Sequence, residues 1–327
     1  MTFVIGVDLG GTKLAVGAMT TDGTREYAFL HQLTHAEQGA DAVADRMAAL
    51  IETVIAQTCA ETGATRADFL GVGIGAPGPL RRDDGIVVVA PNLGWHDYPL
   101  GPRIAAATGL TVRLDNDANC ATLGEWWIGA ARGARNVVGL TIGTGIGGGL
   151  ILDGHLYHGS SDVAGEIGHT TIETAGRRCK CGNYGCLEAY ASGPAIAERA
   201  REALDGNGPS LLREMSGGVL SKLTAQHVYD AAQQGDDVAR EVVRDTARYL
   251  GAGVANVLNL FNPDVVVLAG GVTQAGELLL APLRAEARRR AFRPAVDAAR
   301  IVPGELGSRA GVVGAVAMFL AERPATS

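Results

Sequence analysis

The chain has 327 residues, of which 47% are hydrophobic and 19% charged, with a formal net charge of −7 and five cysteines. That length allows two domains with a large buried core. The acidic balance leaves no basic excess to neutralise nucleic-acid phosphates, the cysteines are too few for a disulfide scaffold, and no apolar run approaches the ~18 residues that span a bilayer.

The run Val4 to Met19 is a β-rich stretch, a glycine turn at Gly10-Gly11, and a second β-rich stretch, which predicts a hairpin. No charged leader or cleavage pattern precedes it, so the expected compartment is the cytoplasm. The same pattern returns from Val137 to Leu152, and Asp-Gly pairs follow both units, at Asp22-Gly23 and Asp153-Gly154. A supersecondary unit begun twice points to a duplicated fold. Between the two, Gly39 to Glu61 has alanine-rich helical periodicity, and Phe69 to Ile74 is a buried strand that Gly75-Ala76-Pro77-Gly78-Pro79 cannot continue as helix. Arg113 to Asp117 ends another strand, and Ala118 to Ala131 predicts a helix carrying Trp126 and Trp127. Later come helices around Pro194–Leu204 and Asp236–Leu260, the strand Val265–Ala269, the turn Gly270-Gly271 and a last helix, Val312–Ala321. Gly206–Gly218 is a candidate linker, and Arg288-Arg289-Arg290 reads as one solvated helix face. Strands alternating with helices indicate an α/β fold with mixed sheets.

Glycine turns let backbone N–H groups approach phosphate oxygens without a side chain in the way. Taken singly, each glycine run here reads as a tight hairpin; two of them with Gly270-Gly271 could also grip a nucleotide. Gly73-x-Gly75-x-x-Gly78 and Gly143-x-Gly145-x-x-Gly148 both fit the dinucleotide-binding pattern, yet neither opens a helix, so that reading fails on context. No P-loop string is present. At the strand-to-helix junction Asp115-Asn116-Asp117-Ala118-Asn119, the ordinary role of Asp115 or Asp117 is an N-cap. The other role is a general base, because phosphoryl transfer to an alcohol needs a carboxylate in reach of the attacking hydroxyl. Asn116 would then bind the same acceptor, a sugar.

His169 with Cys179-x-Cys181-x-x-x-x-Cys186 offers three thiolates and an imidazole, a set that fills a tetrahedral zinc shell and leaves no open position for hydrolytic chemistry. The intervening Arg178, Lys180, Gly182, Asn183 and Gly185 suit a metal loop, whereas Cys59 and Cys120 lie on helical segments and read as core. Glu166 and Glu188 bracket this loop. With one nitrogen of His169 on zinc, the other is free for a sugar hydroxyl, and the zinc holds the loop rather than performing chemistry.

Taken in order, Asp8-Leu9-Gly10-Gly11-Thr12-Lys13, Asn116-Asp117-Ala118-Asn119, Gly143-Thr144-Gly145-Ile146-Gly147-Gly148-Gly149, Gly165-Glu166-Ile167-Gly168-His169, the cysteine loop through Leu187-Glu188, and Leu268-Ala269-Gly270-Gly271-Val272 span nearly the whole chain. This set resembles the family of repressors, open-reading-frame proteins and kinases known as ROK, within the hexokinase and actin-like (ribonuclease H-like) superfamily. The resemblance implies a duplicated α/β fold with two domains around a cleft that closes on sugar. The domain borders are expected at 1–117 plus 311–327 for the smaller domain and 118–310 for the larger. It implies Asp117 as catalytic base, and sugar contacts from Asn92, Asn116, Asp117, Glu166, His169 and Glu188. It implies nucleotide contacts from Gly10, Gly11, Thr12, Lys13, Thr144 and Gly145, adenosine near Gly270 and Gly271, and Asp8 close to Mg2+ through water. The expected reaction is transfer of the γ-phosphate of Mg·ATP to the 6-hydroxyl of glucose, with structural Zn2+ and a homodimeric or homotetrameric assembly. Fructose, mannose, N-acetylglucosamine and N-acetylmannosamine remain alternative substrates, polyphosphate or ADP alternative donors, and a non-catalytic sugar sensor an alternative role. Repressors of this family carry an N-terminal helix-turn-helix segment, for which a first strand beginning by residue 3 leaves no room.

Overall fold

The computed structural model describes residues 1–204 and 208–322. The start of the expected linker Gly206–Gly218 and the last five positions of the expected segment 311–327 lie outside the described residues. The chain divides into two units, one of Met1–Gly133, Gly149–Gly165 and Glu305–Ser327, the other of Ala134–Gly148 and Glu166–Gly304. The first unit therefore takes in more than the expected 1–117 plus 311–327, adding 118–133, 149–165 and 305–310.

In the first unit, β1 (Phe3–Leu9), β2 (Lys13–Thr20) and β3 (Glu26–Leu33) form an antiparallel meander, and helix α1 (Ala40–Thr62) returns the chain to β4 (Phe69–Ala76), parallel to β1. A small sheet of β5 (Leu80–Arg81), β6 (Ile86–Ala90) and β7 (Trp95–Tyr98) precedes α2 (Leu100–Thr108) and β8 (Val112–Asn116), which lies parallel to β4 and runs into α3 (Asp117–Trp127). The main sheet has the order β3-β2-β1-β4-β8. Its partner sheet contains β9 (Val137–Ile142), β10 (Ile146–Leu152) and β11 (His155–Leu156), with the unit border falling inside β10. The chain continues through α4 (Glu188–Ala191), α5 (Gly193–Ala203), α6 (Leu211–Met215), α7 (Ala225–Gln233), α8 (Asp237–Phe261), β12 (Val265–Ala269), α9 (Glu277–Arg290), α10 (Arg293–Ala298) and β13 (Arg300–Pro303). This sheet has the order β11-β10-β9-β12-β13, and β12 is parallel to both β9 and β13. Each sheet reads third, second, first, fourth, fifth strand, so the duplication expected from two glycine hairpins holds for the topology of both sheets. The α/β class with mixed sheets holds as well.

Local chemistry explains the elements. Helix α1 buries Val43, Ala44, Met47, Ile51, Val54, Ile55 and Thr58, the spacing of one helical face, and stops at Gly63, whose φ of 75° suits a left-handed cap. The long α8 is capped by Asp236, whose carboxylate accepts the Ala239 N–H at 2.8 Å. Arg289 and Arg290 in the last turn of α9 pair with Glu286 at 2.8 and 2.5 Å, as expected of a solvated face. The helix expected over Ala118–Ala131 ends at Trp127. The cause is Glu125, whose buried carboxylate accepts the N–H groups of Ala130 at 2.9 Å, Glu305 at 3.0 Å and Leu306 at 2.9 Å and so curls the chain out of the helix.

The last helix, α11 (Ala310–Ala321), belongs to the first unit and is apolar on every side. It lies directly on backbone. A Cβ at Gly6 or Gly73 would overlap the carbonyl oxygens of Val312 or Ala315, and one at Gly124 or Gly314 would overlap those of Ala310 or Cys120. Val312, Val313, Val316, Met318 and Phe319 are buried around these contacts, each stabilising the fold by roughly 1.5–3 kcal/mol. Gly314→Ala has no room to relax, since the obstacle is main chain rather than a side-chain tip. It should lower unfolding stability by about 1–3 kcal/mol or more, read as a shifted urea midpoint at unchanged slope.

Candidate active site

The first unit carries one group of the expected residues. Asp8 is the last residue but one of β1, and the turn Gly10-Gly11-Thr12 returns the chain into β2 at Lys13. The turn is held by the Gly10 N–H donating to the Lys13 carbonyl at 2.8 Å and by the Thr34 hydroxyl donating to the Gly10 carbonyl at 2.7 Å. Thr12 and Lys13 are exposed. Asn92 is exposed too and sits against the turn: a Cβ at Gly11 would come within 3.1 Å of its Cβ. Asp8 packs its carboxyl over Gly311 in the first turn of α11, where a side chain would collide with it. Burial, and then the charge of Asp117, push the Asp8 carboxyl up to about 7.

The β8–α3 junction departs from the expected cap. Neither Asp115 nor Asp117 caps α3; Asn116 does, its Oδ1 accepting the N–H groups of Ala118 at 2.9 Å and Asn119 at 3.2 Å. Asparagine matches aspartate as a cap and places no charge there. With its oxygen engaged, Asn116 has only its side-chain NH2 to offer a ligand. Asp117 is the first helical residue, half-buried, with Oδ1 accepting the Ala118 N–H at 2.8 Å.

The second unit carries the other group. Gly143 and Gly145 close the β9–β10 turn, the Gly143 N–H donating to the Gly145 carbonyl at 2.9 Å. Glu188, the first residue of α4, reaches this turn: its Oε2 accepts the Ile146 N–H at 2.8 Å and would lie 2.5 Å from a Cβ at Gly145. A residue expected at the sugar thus also braces a turn expected at the phosphates. His169 divides its two nitrogens, Nδ1 lying 3.7 Å from Cys179 Sγ and Nε2 3.9 Å from Glu166 Oε2. Burial raises the Glu166 carboxyl above the usual carboxylate range.

The ligand atoms of His169, Cys179, Cys181 and Cys186 all lie within 4.8 Å of one another. Two β-bridges, Thr171 with Cys186 and Arg178 with Tyr184, build the loop, and Gly182 and Gly185 turn it with φ of 97° and 75°. Cys181 and Cys186 Sγ are 3.7 Å apart, close to the S···S edge of about 3.8 Å for a tetrahedron with Zn–S near 2.3 Å. Burial pushes the Cys179 thiol up to about 12, so a cation is what would let these sulfurs ionise together. The donor set fits zinc.

A cavity of about 490 Å3 within this unit is lined by Thr144, Gly193, Pro194, Tyr229, Gly271 and Val272 among others. It brings Thr144 and Gly271 together, while Gly145 and Gly270 are not on its wall. Gly270 has φ of 95° and turns the chain after β12. The sequence reading missed Gly193-Pro194 and Tyr229. Ser192-Gly193-Pro194 carries a recognisable helix-start signal, with Pro at the first turn of α5, whereas nothing local marks Tyr229. Cys120 is buried and Cys59 half-buried on their helices, as expected. Neither Gly73 and Gly75, inside β4, nor Gly143–Gly148 opens a helix. Among the described residues no helix is long and apolar enough to cross a membrane.

Two mixed sheets of one topology, each with a glycine turn after its first strand, make up an α/β fold that this chain shares with ROK sugar kinases of known structure. The chain belongs to the ROK family, whose profile matches residues 4–322. It is 39% identical to a glucokinase of Thermotoga maritima over 97% of this chain and 96% of that one. It superposes with a TM-score of 0.83, at 35% identity, on a ROK family glucokinase from Streptomyces griseus in complex with glucose and AMPPNP, covering 97% of this chain and 98% of that one. A xylose repressor of Caldicellulosiruptor bescii is 32% identical over 98% of this chain and 78% of its own length.

The raised Asp8 carboxyl has a pH signature in the ligand-free protein. Unfolded, it releases its proton near 3.8, and folded near 7. Between those values the folded state holds the extra proton, so this contribution to stability falls as pH rises and levels off above about 7. Asp8→Asn should remove that component, seen as a flatter dependence of the denaturant midpoint on pH than in the wild type.

Proposed function

We propose that this chain is an ATP-dependent glucokinase that transfers the γ-phosphate of Mg·ATP to the 6-hydroxyl of glucose. The likeness to glucokinases over nearly its full length carries this reading, with an acidic residue at the strand-to-helix junction and both glycine turns in place. Asp117 accepts the proton of the 6-hydroxyl as that oxygen attacks the γ-phosphorus in line and ADP leaves. Asn92, the Asn116 amide, Glu166, His169 Nε2 and Glu188 are the proposed sugar contacts. Gly10, Gly11, Thr12, Lys13, Thr144 and Gly145 contact the phosphates, and Gly270 and Gly271 the adenosine, with Thr144, Gly271 and Tyr229 on the wall of one nucleotide-sized cavity. Bound Mg2+ would neutralise phosphate charge, and Asp8 is the carboxylate that would help to hold it. Its raised affinity for protons in the absence of cation marks a carboxylate placed where positive charge is expected.

Zn2+ on His169 Nδ1, Cys179, Cys181 and Cys186 would fix the loop that carries His169 and Glu188. All four positions are then protein-filled, so hydrolytic zinc chemistry has no open site. The enzyme is proposed to act in the cytoplasm as a homodimer or homotetramer, to be read by light scattering.

The second reading, a sugar sensor without turnover, is favoured by the likeness to a xylose repressor. ADP release across glucose, mannose, fructose, N-acetylglucosamine and N-acetylmannosamine decides between the two: glucose should give the highest kcat/KM, and no turnover with any sugar or donor would establish the sensor. Asp117→Asn should lower kcat by about 10²–10⁴ while calorimetry shows glucose still bound; an active variant would remove Asp117 as base. Metal analysis should find one zinc per chain, and Cys179→Ser should lose both that zinc and glucose affinity.

A further inference from the structure

Two residues before the proposed base, Asp115 is a wholly buried carboxylate. Both its oxygens are engaged. Oδ1 accepts the Asn116 backbone N–H at 2.7 Å and the Asn119 side-chain amide at 2.9 Å. Oδ2 lies 2.7 Å from His158 Nε2 and 3.4 Å from Arg82 Nε. All of these residues lie in the first unit. The first pair of bonds grips the junction on either side of Asp117: the main chain entering Asn116, which caps α3, and a side chain from the first turn of that helix. The second pair ties the same carboxylate to the loop after β11, where His158 stands, and to the segment after β5, where Arg82 stands.

Arg82 extends the tie. Its guanidinium approaches Asp162 at 3.6 Å and also pairs with Glu322 at the end of α11. The loop of His158 and Asp162 is sharply turned, with φ of 75° at Gly159, 57° at Asp162 and 89° at Gly165, and it runs directly into Glu166. One buried carboxylate therefore anchors both the turn that carries Asp117 and the loop that leads to a proposed sugar contact. Neither His158 nor Asp115 has a step in the proton and phosphoryl transfer proposed above.

We infer that Asp115 and His158 form a positioning pair for the phosphoryl transfer: the hydrogen bond from His158 Nε2 holds the Asp115 carboxylate, and that carboxylate sets the direction of Asp117 and of the Asn116 amide. Hydrogen bonds to a buried carboxylate are short, strong and directional, which suits a strut. A base displaced by about 1 Å loses on the order of 10²-fold in rate. The inference rests on the assignment of Asp117 as base.

The test compares His158→Ala, His158→Gln, Asp115→Asn and Asp117→Asn, each checked for a wild-type far-UV spectrum and zinc content. His158→Ala should lower kcat about 10–100-fold with KM for ATP unchanged. His158→Gln, which can still present an N–H to Asp115, should recover most of that loss. If His158→Ala does not fold, Asp115→Asn against His158→Gln carries the comparison, the former slow and the latter near wild type. Wild-type kcat in His158→Ala and Asp115→Asn, or equal loss in His158→Gln and His158→Ala, overturns the pair. A fully active Asp117→Asn would instead overturn the base, so the two failures are told apart.

Discussion

The first unit depends on one close approach: helix α11 laid on the main chain of β1, β4 and α3 with no side chain between them. Gly6, Gly73, Gly124 and Gly314 make this possible, because at each the atom that a Cβ would strike is a carbonyl oxygen. A helix packed through side chains would sit at the usual 8–10 Å from its neighbour; removing side chains on both faces brings the backbones nearer than that. The geometry of Asp8 follows. Its carboxyl packs over Gly311, in the first turn of this helix, so the end of β1 and the start of α11 are set together. The free N–H groups of a first helical turn also favour an anion there, which works against the burial that raises the Asp8 pKa.

Three carboxylates in this unit, Asp8, Asp115 and Glu125, are set apart by their partners. Asp115 and Glu125 are both buried and both surrounded by donors: main-chain N–H groups in each case, with an imidazole, an arginine and an amide besides for Asp115. Carboxylates held by several donors at once act as fixed points of the fold. At Asp8, burial and then the negative charge of Asp117 work against ionisation. Electrostatic tension of that kind is ordinary where a site awaits a cation or a proton transfer and is rare where only structure is at stake.

Much of this was legible in the sequence, for identifiable reasons. Glycine turns between β-rich runs, the Asp-Asn-Asp junction and the Cys-x-Cys loop are local signals, and the structure places each in the expected local setting. The duplication was legible too, because the same hairpin pattern opens both sheets. What was missed is non-local. Glu125 shortens α3 by bonding residues 305 and 306, far along the chain, and no spacing rule predicts that. The capping role fell to Asn116 rather than to an aspartate because the choice depends on which side chain the β8 backbone turns toward the helix. His158 stands in a stretch without periodicity, and its partner Asp115 lies 43 residues away. The borders of the compact units also differ from those expected, since α3 and the 149–165 segment pack with the first unit.

Glu188 and Gly145 carry a consequence for how this protein can diverge. The carboxylate that braces the β9–β10 turn occupies the space a side chain at Gly145 would need. Drift at either position is therefore constrained by the other: any residue larger than glycine at 145 requires a shorter or redirected one at 188. A lineage that replaced the proposed sugar contact at residue 188 would have to re-solve the brace of its glycine turn in the same step. Paired inheritance of these two positions, rather than independent variation, is what this contact imposes on descendants of the chain.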